Sequence, residues 1–160
     1  MTGDVALSEG MPSGSGRPVI NGTAVVTLTI PCAPEYVGTA RLAILGVAGR
    51  MGFSYDQIED IRLAVGEACT NAIERAGHVP GLDAGINIRC EIQAERLTIE
   101  IEDNVPTMNG DAAGAEGEED FSTQELGAVL MEILVDEVAI DTLPGGGTRA
   151  RLVKYTADNA

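Results

Sequence analysis

Past a glycine- and proline-containing loop at Gly77 to Gly85, the chain settles into a strict two-residue rhythm. Ile86, Ile88, Cys90 and Ile92 alternate with Asn87, Arg89 and Glu91. Successive strand side chains point to opposite faces, so this run predicts a strand with one buried side. Leu97, Ile99 and Ile101 repeat the rhythm beyond a short turn near Ala94-Glu95, which makes the two runs a β-hairpin. Counting on in twos places Asp103 on the same apolar row at the strand's exit, where a carboxylate needs a partner. If the strand instead ends by residue 102, Asp103 is an ordinary turn former with Asn104.

Before the hairpin, Thr23 to Ile30 is β-branched and apolar and predicts a first strand, ended by Pro31 to Pro34. Glu35 to Arg50 reads as a helix with Val37, Leu42, Ile44, Leu45 and Val47 as packing residues. A second helix opens on the capping box Ser54-Tyr55-Asp56-Gln57 and runs towards Gly77, with Ile58, Ile61, Val65, Ala68, Cys69 and Ala72 as its apolar face. After the hairpin, residues 104–121 form a long polar connection, a length that is usually functional or disordered. Ser122-Thr123-Gln124-Glu125 then opens a third helix with Leu126, Val129, Leu130, Ile133 and Leu134 on its core side. Val138 to Asp141 and Thr148 to Tyr155 close the chain as a hairpin around Pro144-Gly145-Gly146-Gly147. This order predicts an α+β two-layer sandwich, a mostly antiparallel sheet covered on one face by helices.

Composition narrows the picture. With 160 residues, 44% of them hydrophobic, the chain suits one domain. The expected division is a flexible tail at 1–18, a domain at 19–156 and a short tail at 157–160. No apolar run approaches a membrane span and no signal peptide opens the chain, so a cytoplasmic protein is expected. Cys32, Cys69 and Cys90 are odd in number and widely spaced, which favours reduced core thiols over disulfides or zinc. A net charge of −15 argues against direct nucleic-acid binding, which needs clustered cations. No Lys or Arg occurs from Leu97 through Thr148, although Asp111, Glu116, Glu118, Glu119, Asp120 and Glu125 crowd that stretch.

The candidate chemistry lies on the second helix, where Glu67 and Asn71 stand one turn apart, about 40° around the axis. Asp60 and Glu74 share their stripe, opposite the apolar face, so both groups are expected to point away from the core. Such a pair can hold a metal and an attacking group; equally, an acidic stripe can simply face water.

Taken in order, Glu67-Ala-Cys-Thr-Asn71-Ala-Ile, Asp103-Asn104, Leu126-Gly127, Val135-Asp136-Glu137-Val138 and Gly147-Thr148 resemble the histidine-kinase-like (GHKL) ATPases, and most of all the anti-sigma factor serine kinases of the RsbW type. The resemblance covers residues 23–155. It implies the Bergerat ATP-binding fold with ATP and Mg2+ as cofactors. Asn71 would hold the magnesium, Glu67 would be the general base towards a partner's serine, and Asp103 would accept from the adenine amino group with support from Thr148. Residues 104–126 would be the nucleotide lid, with Gly127 and nearby amides receiving phosphate. Arg41 would lie on the surface that binds a sigma factor and its STAS-type anti-anti-sigma antagonist, and a homodimer is expected. Two positions depart from the family pattern: Val105-Pro106 stands where a glycine follows the adenine-binding Asp, and Glu125 replaces a glycine before Leu126-Gly127. Glu125 should weaken phosphate binding by only about 0.3–1 kcal/mol, with magnesium, Arg75 and His78 as compensations. The alternative implied by these departures is a non-catalytic partner-binding protein on the same fold.

Overall fold

Residues 19–20, 22–106 and 123–156 are described in this computed structural model. The two expected tails, and the connection from residue 107 through Ser122, lie outside the described residues. Among the described residues six strands form one sheet: β1 (Val19–Ile20), β2 (Thr23–Pro31), β3 (Gly85–Ile92), β4 (Arg96–Asp103), β5 (Glu137–Thr142) and β6 (Thr148–Tyr155). Their order is β1-β2-β3-β4-β6-β5, and every pairing is antiparallel. A 3-10 turn at Pro34–Tyr36 leads into α1 (Val37–Ala48), followed by α2 (Tyr55–Ala76) and, after the connection, α3 (Thr123–Leu134). The expected α+β sandwich is the observed architecture. The strand β1 escaped prediction because two residues cannot display an alternation.

Alternation sorts the two faces of the sheet. Ile86, Ile88 and Cys90 of β3, Leu97, Ile99 and Ile101 of β4, and Ala150 and Leu152 of β6 are buried beneath the helices in one hydrophobic cluster. The opposite face carries charges matched across strands: Glu102 pairs with Arg149 at 2.6 Å and Glu100 with Arg151 at 3.8 Å, each directly opposite in register. Half-exposed pairs of this kind contribute little stability individually but penalise a shifted register.

The central helix is α2, which packs against α1 on one flank and α3 on the other. Its start is the predicted capping box: the Gln57 amide donates to Ser54 Oγ at 3.1 Å, and Ser54 N donates to Gln57 Oε1 at 2.9 Å. This satisfies two amides that the first turn leaves without partners.

Two helical faces differ from expectation. In α1 the buried residues are Ala40, Ile44, Val47 and Ala48, while Leu42 is 65% exposed and Leu45 is also exposed. In α3 the buried positions are Gly127, Met131 and Leu134, whereas Leu126, Val129, Leu130 and Ile133 are exposed. Both helices are apolar almost all round, so side-chain size could not choose a side. Close approach to α2 chose it, and that approach selects small residues.

Candidate functional site

A cleft of about 300 Å³ opens between α2, α3 and the ends of β4 and β6. Its walls include Asn71 and Arg75 from α2, Asp103 from β4, Thr148 from β6, and Gln124 and Glu125 from the first turn of α3, above an apolar floor with Ile101 and Met131. A second hollow of about 310 Å³ lies between α1 and β2, walled by aliphatic groups and Arg50, and holds none of the candidate residues.

Asp103 is the last residue of β4 and is only 7% exposed, so the strand reading prevails over the turn reading. Its partner is Arg75. Nη1 donates to Oδ1 at 3.2 Å and Nη2 donates to Oδ2 at 2.9 Å, a bidentate fork. The Val105 amide adds a third donor to Oδ1 at 2.9 Å. Arg75 Nε in turn donates to Gln124 Oε1 at 3.2 Å, and Gln124 Nε2 donates to the Asn71 carbonyl at 3.2 Å. From the sequence Arg75 is expected to be a cation compensating for the acidic connection. In the structure it lines the cleft and is held by Asp103, four residues or about 6 Å of helix beyond Asn71. Gln124 is legible in the sequence only as part of a helix start, and nothing in the pattern marks it as the bridge between α3 and α2.

Thr148 lies directly opposite Asp103 in the β4–β6 register and lines the cleft. Just before it, Gly147 adopts a φ of 101°, and a Cβ there would run into the Asp103 carbonyl oxygen. Only glycine tolerates both the left-handed backbone and that approach.

Asn71 overturns one expectation. Rather than pointing away from the core, it is 7% exposed and covered by α3, while Glu67 is half-buried and Glu74 exposed. The covering is close: a Cβ on Gly127 would stand 2.7 Å from Asn71 Nδ2. A stripe counted along one helix cannot reveal a third helix laid across it. Asn71 Oδ1 is fully buried and accepts no hydrogen bond among the described residues. An orphaned acceptor of this kind costs about 1–3 kcal/mol, a penalty that a ligand at the site would remove. Gly127 itself is the fifth residue of α3, past the four whose amides lack a partner inside the helix. The first turn of α3 at the cleft therefore spans residues 123–126, and the visible work of Gly127 is to admit Asn71.

Arg41 reaches from α1 onto α2 and is half-buried there. A Cβ at Gly66 would stand 2.6 Å from Arg41 Nε, which is buried without a hydrogen-bond partner among the described residues. Arg41 thus sits partly exposed in a seam between two helices, and Gly66, unmarked in the sequence, is what permits it. The three cysteines are free thiols: Cys69 and Cys90 are buried and burial pushes both up to about 12, while Cys32 is half-buried and raised by burial and then by the Asp103 charge.

The histidine kinase-like ATPase domain family matches residues 30–154. The serine-protein kinase RsbW of Bacillus subtilis (strain 168) is 34% identical over 143 residues, spanning 84% of this chain and 88% of the relative. The serine-protein kinase RsbW of Oceanobacillus iheyensis is 36% identical over 141 residues, spanning 83% of this chain and 87% of that protein. Among solved structures, the RsbU and RsbW domains of a Mycobacterium tuberculosis protein share the fold with a TM-score of 0.61, at 20% identity, over 82% of this chain and 32% of that one. A matched domain of this extent, with relatives of this identity along nearly the whole chain, establishes that the chain belongs to the histidine kinase-like ATPases and, within them, to the RsbW serine-protein kinases.

Proposed function

We propose that the chain acts as an anti-sigma factor that binds Mg-ATP in the cleft between α2 and α3 and phosphorylates a serine of its STAS-type anti-anti-sigma antagonist. The observation that carries this reading is the orphaned Asn71 Oδ1, buried in the cleft one helical turn from Glu67. An unpartnered amide oxygen fits a hard cation, which takes oxygen ligands and shares itself between protein and phosphates. No group of three or more His, Cys, Asp or Glu side chains stands ready for a metal among the described residues, so Asn71 would share the ion with ATP. A magnesium ion held there by Asn71 would supply positive charge to offset that of the phosphates.

The chain's own residues supply the remainder. Asp103, with Thr148 opposite it, receives the adenine at one end of the cleft, and the first-turn amides of α3 face the phosphates at the other. Glu67 accepts the proton of the incoming serine hydroxyl. The serine oxygen forms the new bond to the γ-phosphorus as the bond to the β,γ-bridging oxygen breaks, and ADP leaves with that electron pair. Arg41, held in the α1–α2 seam and partly exposed, supplies a cation to the sigma factor or antagonist.

Thermal unfolding with Mg-ATP tests the reading. At 100 times the dissociation constant, binding adds about 2.7 kcal/mol to stability. Absence of any stabilisation at millimolar Mg-ATP would sink the kinase mechanism and leave a scaffold that holds partners without nucleotide.

A further inference from the structure

We propose that Arg75 gates nucleotide entry by competing with the base for Asp103, so that binding requires exchange of a protein ion pair for a purine. This deepens the function proposed above and rests on its assignment of Asp103 to the base. The Asp103 carboxylate offers about four lone-pair sites, and three donors already occupy it: Arg75 Nη1, Arg75 Nη2 and the Val105 amide. Its side chain is 4% exposed while that of Arg75 is 22% exposed, so the guanidinium is the more solvent-facing member of the pair, and both line the cleft. The planar fork donates to both oxygens, so an exocyclic amine would compete with it for the same acceptors.

The pair is also tied to α3 and to Asn71. Arg75 Nε holds Gln124, and Gln124 holds the Asn71 carbonyl, so one chain of hydrogen bonds joins β4, α2 and the first turn of α3. With Arg75 on Asp103 the base site is closed. When Arg75 swings away, the base site opens and Gln124 is released at the α3 N-terminus, beside the proposed phosphate site. Apparent affinity is the intrinsic affinity scaled by the fraction of molecules in the open arrangement.

The experiment is calorimetric titration of the full chain with adenosine and, separately, with Mg-ATP. Arg75→Ala is expected to bind both about tenfold more tightly than the wild type, a change of roughly 1.4 kcal/mol. Arg75→Lys, which keeps the charge and loses the fork, is expected to show a smaller gain in the same direction and carries the test if the alanine variant does not fold. Adenosine is the deciding ligand because it has no phosphate. Unchanged or weaker adenosine binding in both variants overturns the gate, and a loss confined to Mg-ATP assigns Arg75 to the phosphates instead. Asp103→Asn separates this from the base assignment: weakened adenosine binding there, without a gain in the Arg75 variants, refutes the gate while the adenine site stands. A wild-type chain that binds neither ligand overturns both.

Discussion

Replacing Gly127 with alanine should separate the stability of this fold from its use of nucleotide. The new Cβ would stand 2.7 Å from Asn71 Nδ2, 3.0 Å from Oδ1 and 3.2 Å from Cγ, so the amide or the helix must shift. Two opposing effects set the stability change. Overpacking a buried contact costs about 1–3 kcal/mol. Alanine in a helix interior recovers about 0.8–1.0 kcal/mol relative to glycine. The net loss is therefore about 0–2 kcal/mol, a fall in Tm of at most about 8 °C. Function is hit harder, because magnesium demands near-ideal distances and the displaced atom is the amide proposed to hold it. Mg-ATP affinity should drop by at least about tenfold, or 1.4 kcal/mol, while adenosine affinity holds. Calorimetric titration measures both ligands and thermal unfolding gives the stability. Wild-type Mg-ATP affinity in a folded Gly127→Ala chain would refute the placement of Asn71 at the metal.

Two further outcomes follow from the site and the core. Glu67→Gln should abolish transfer of labelled γ-phosphate from ATP to a serine-bearing antagonist while leaving Mg-ATP affinity within about threefold, since amide and carboxylate match in shape but only the carboxylate accepts a proton; retained transfer would remove Glu67 as the base. Cys69 and Cys90, pushed up to about 12 by burial from 9.0, favour the neutral thiol in the fold, so their contribution to stability is complete below pH 9 and is lost as pH rises from 9 through 12. Melting scans across that range should show the decline, and alkylation at pH 8 should modify Cys32 well before the other two; rapid labelling of Cys69 in the native chain would contradict the packing.

What was legible in the sequence was periodic or punctuated. The β3–β4 alternation fixed which residues face the helices and carried Asp103 into the buried row, and the Ser54 box fixed the start of α2. Contacts between elements were harder to read, because they depend on which helix lies over which. The acidic stripe of α2 suggested an open face, yet α3 covers Asn71 through Gly127. The leucines and isoleucines of α3 suggested its core side, yet the small residue decided the orientation. Arg75 is visible as a cation one turn past Asn71, but its partner lies 28 positions away on strand β4.

Where the departures from the family pattern fall decides their weight. Val105 occupies the position of an expected glycine, but its side chain is fully buried and is absent from the lining of the cleft, while its amide serves Asp103. A Cβ there is accommodated because it turns into the protein, and the close approach of backbone to Asp103 is made from the other strand by Gly147. Glu125 does face the cleft, and its effect on a helix N-terminus is about 0.3–1 kcal/mol at an exposed site. Opening a charge-assisted fork on a nearly buried carboxylate costs more, roughly 1.5–3 kcal/mol for hydrogen bonds to charged groups before solvent exposure of the arginine reduces it. In the proposed reading the stronger control on nucleotide affinity is thus the Arg75–Asp103 pair, and the missing glycines are secondary.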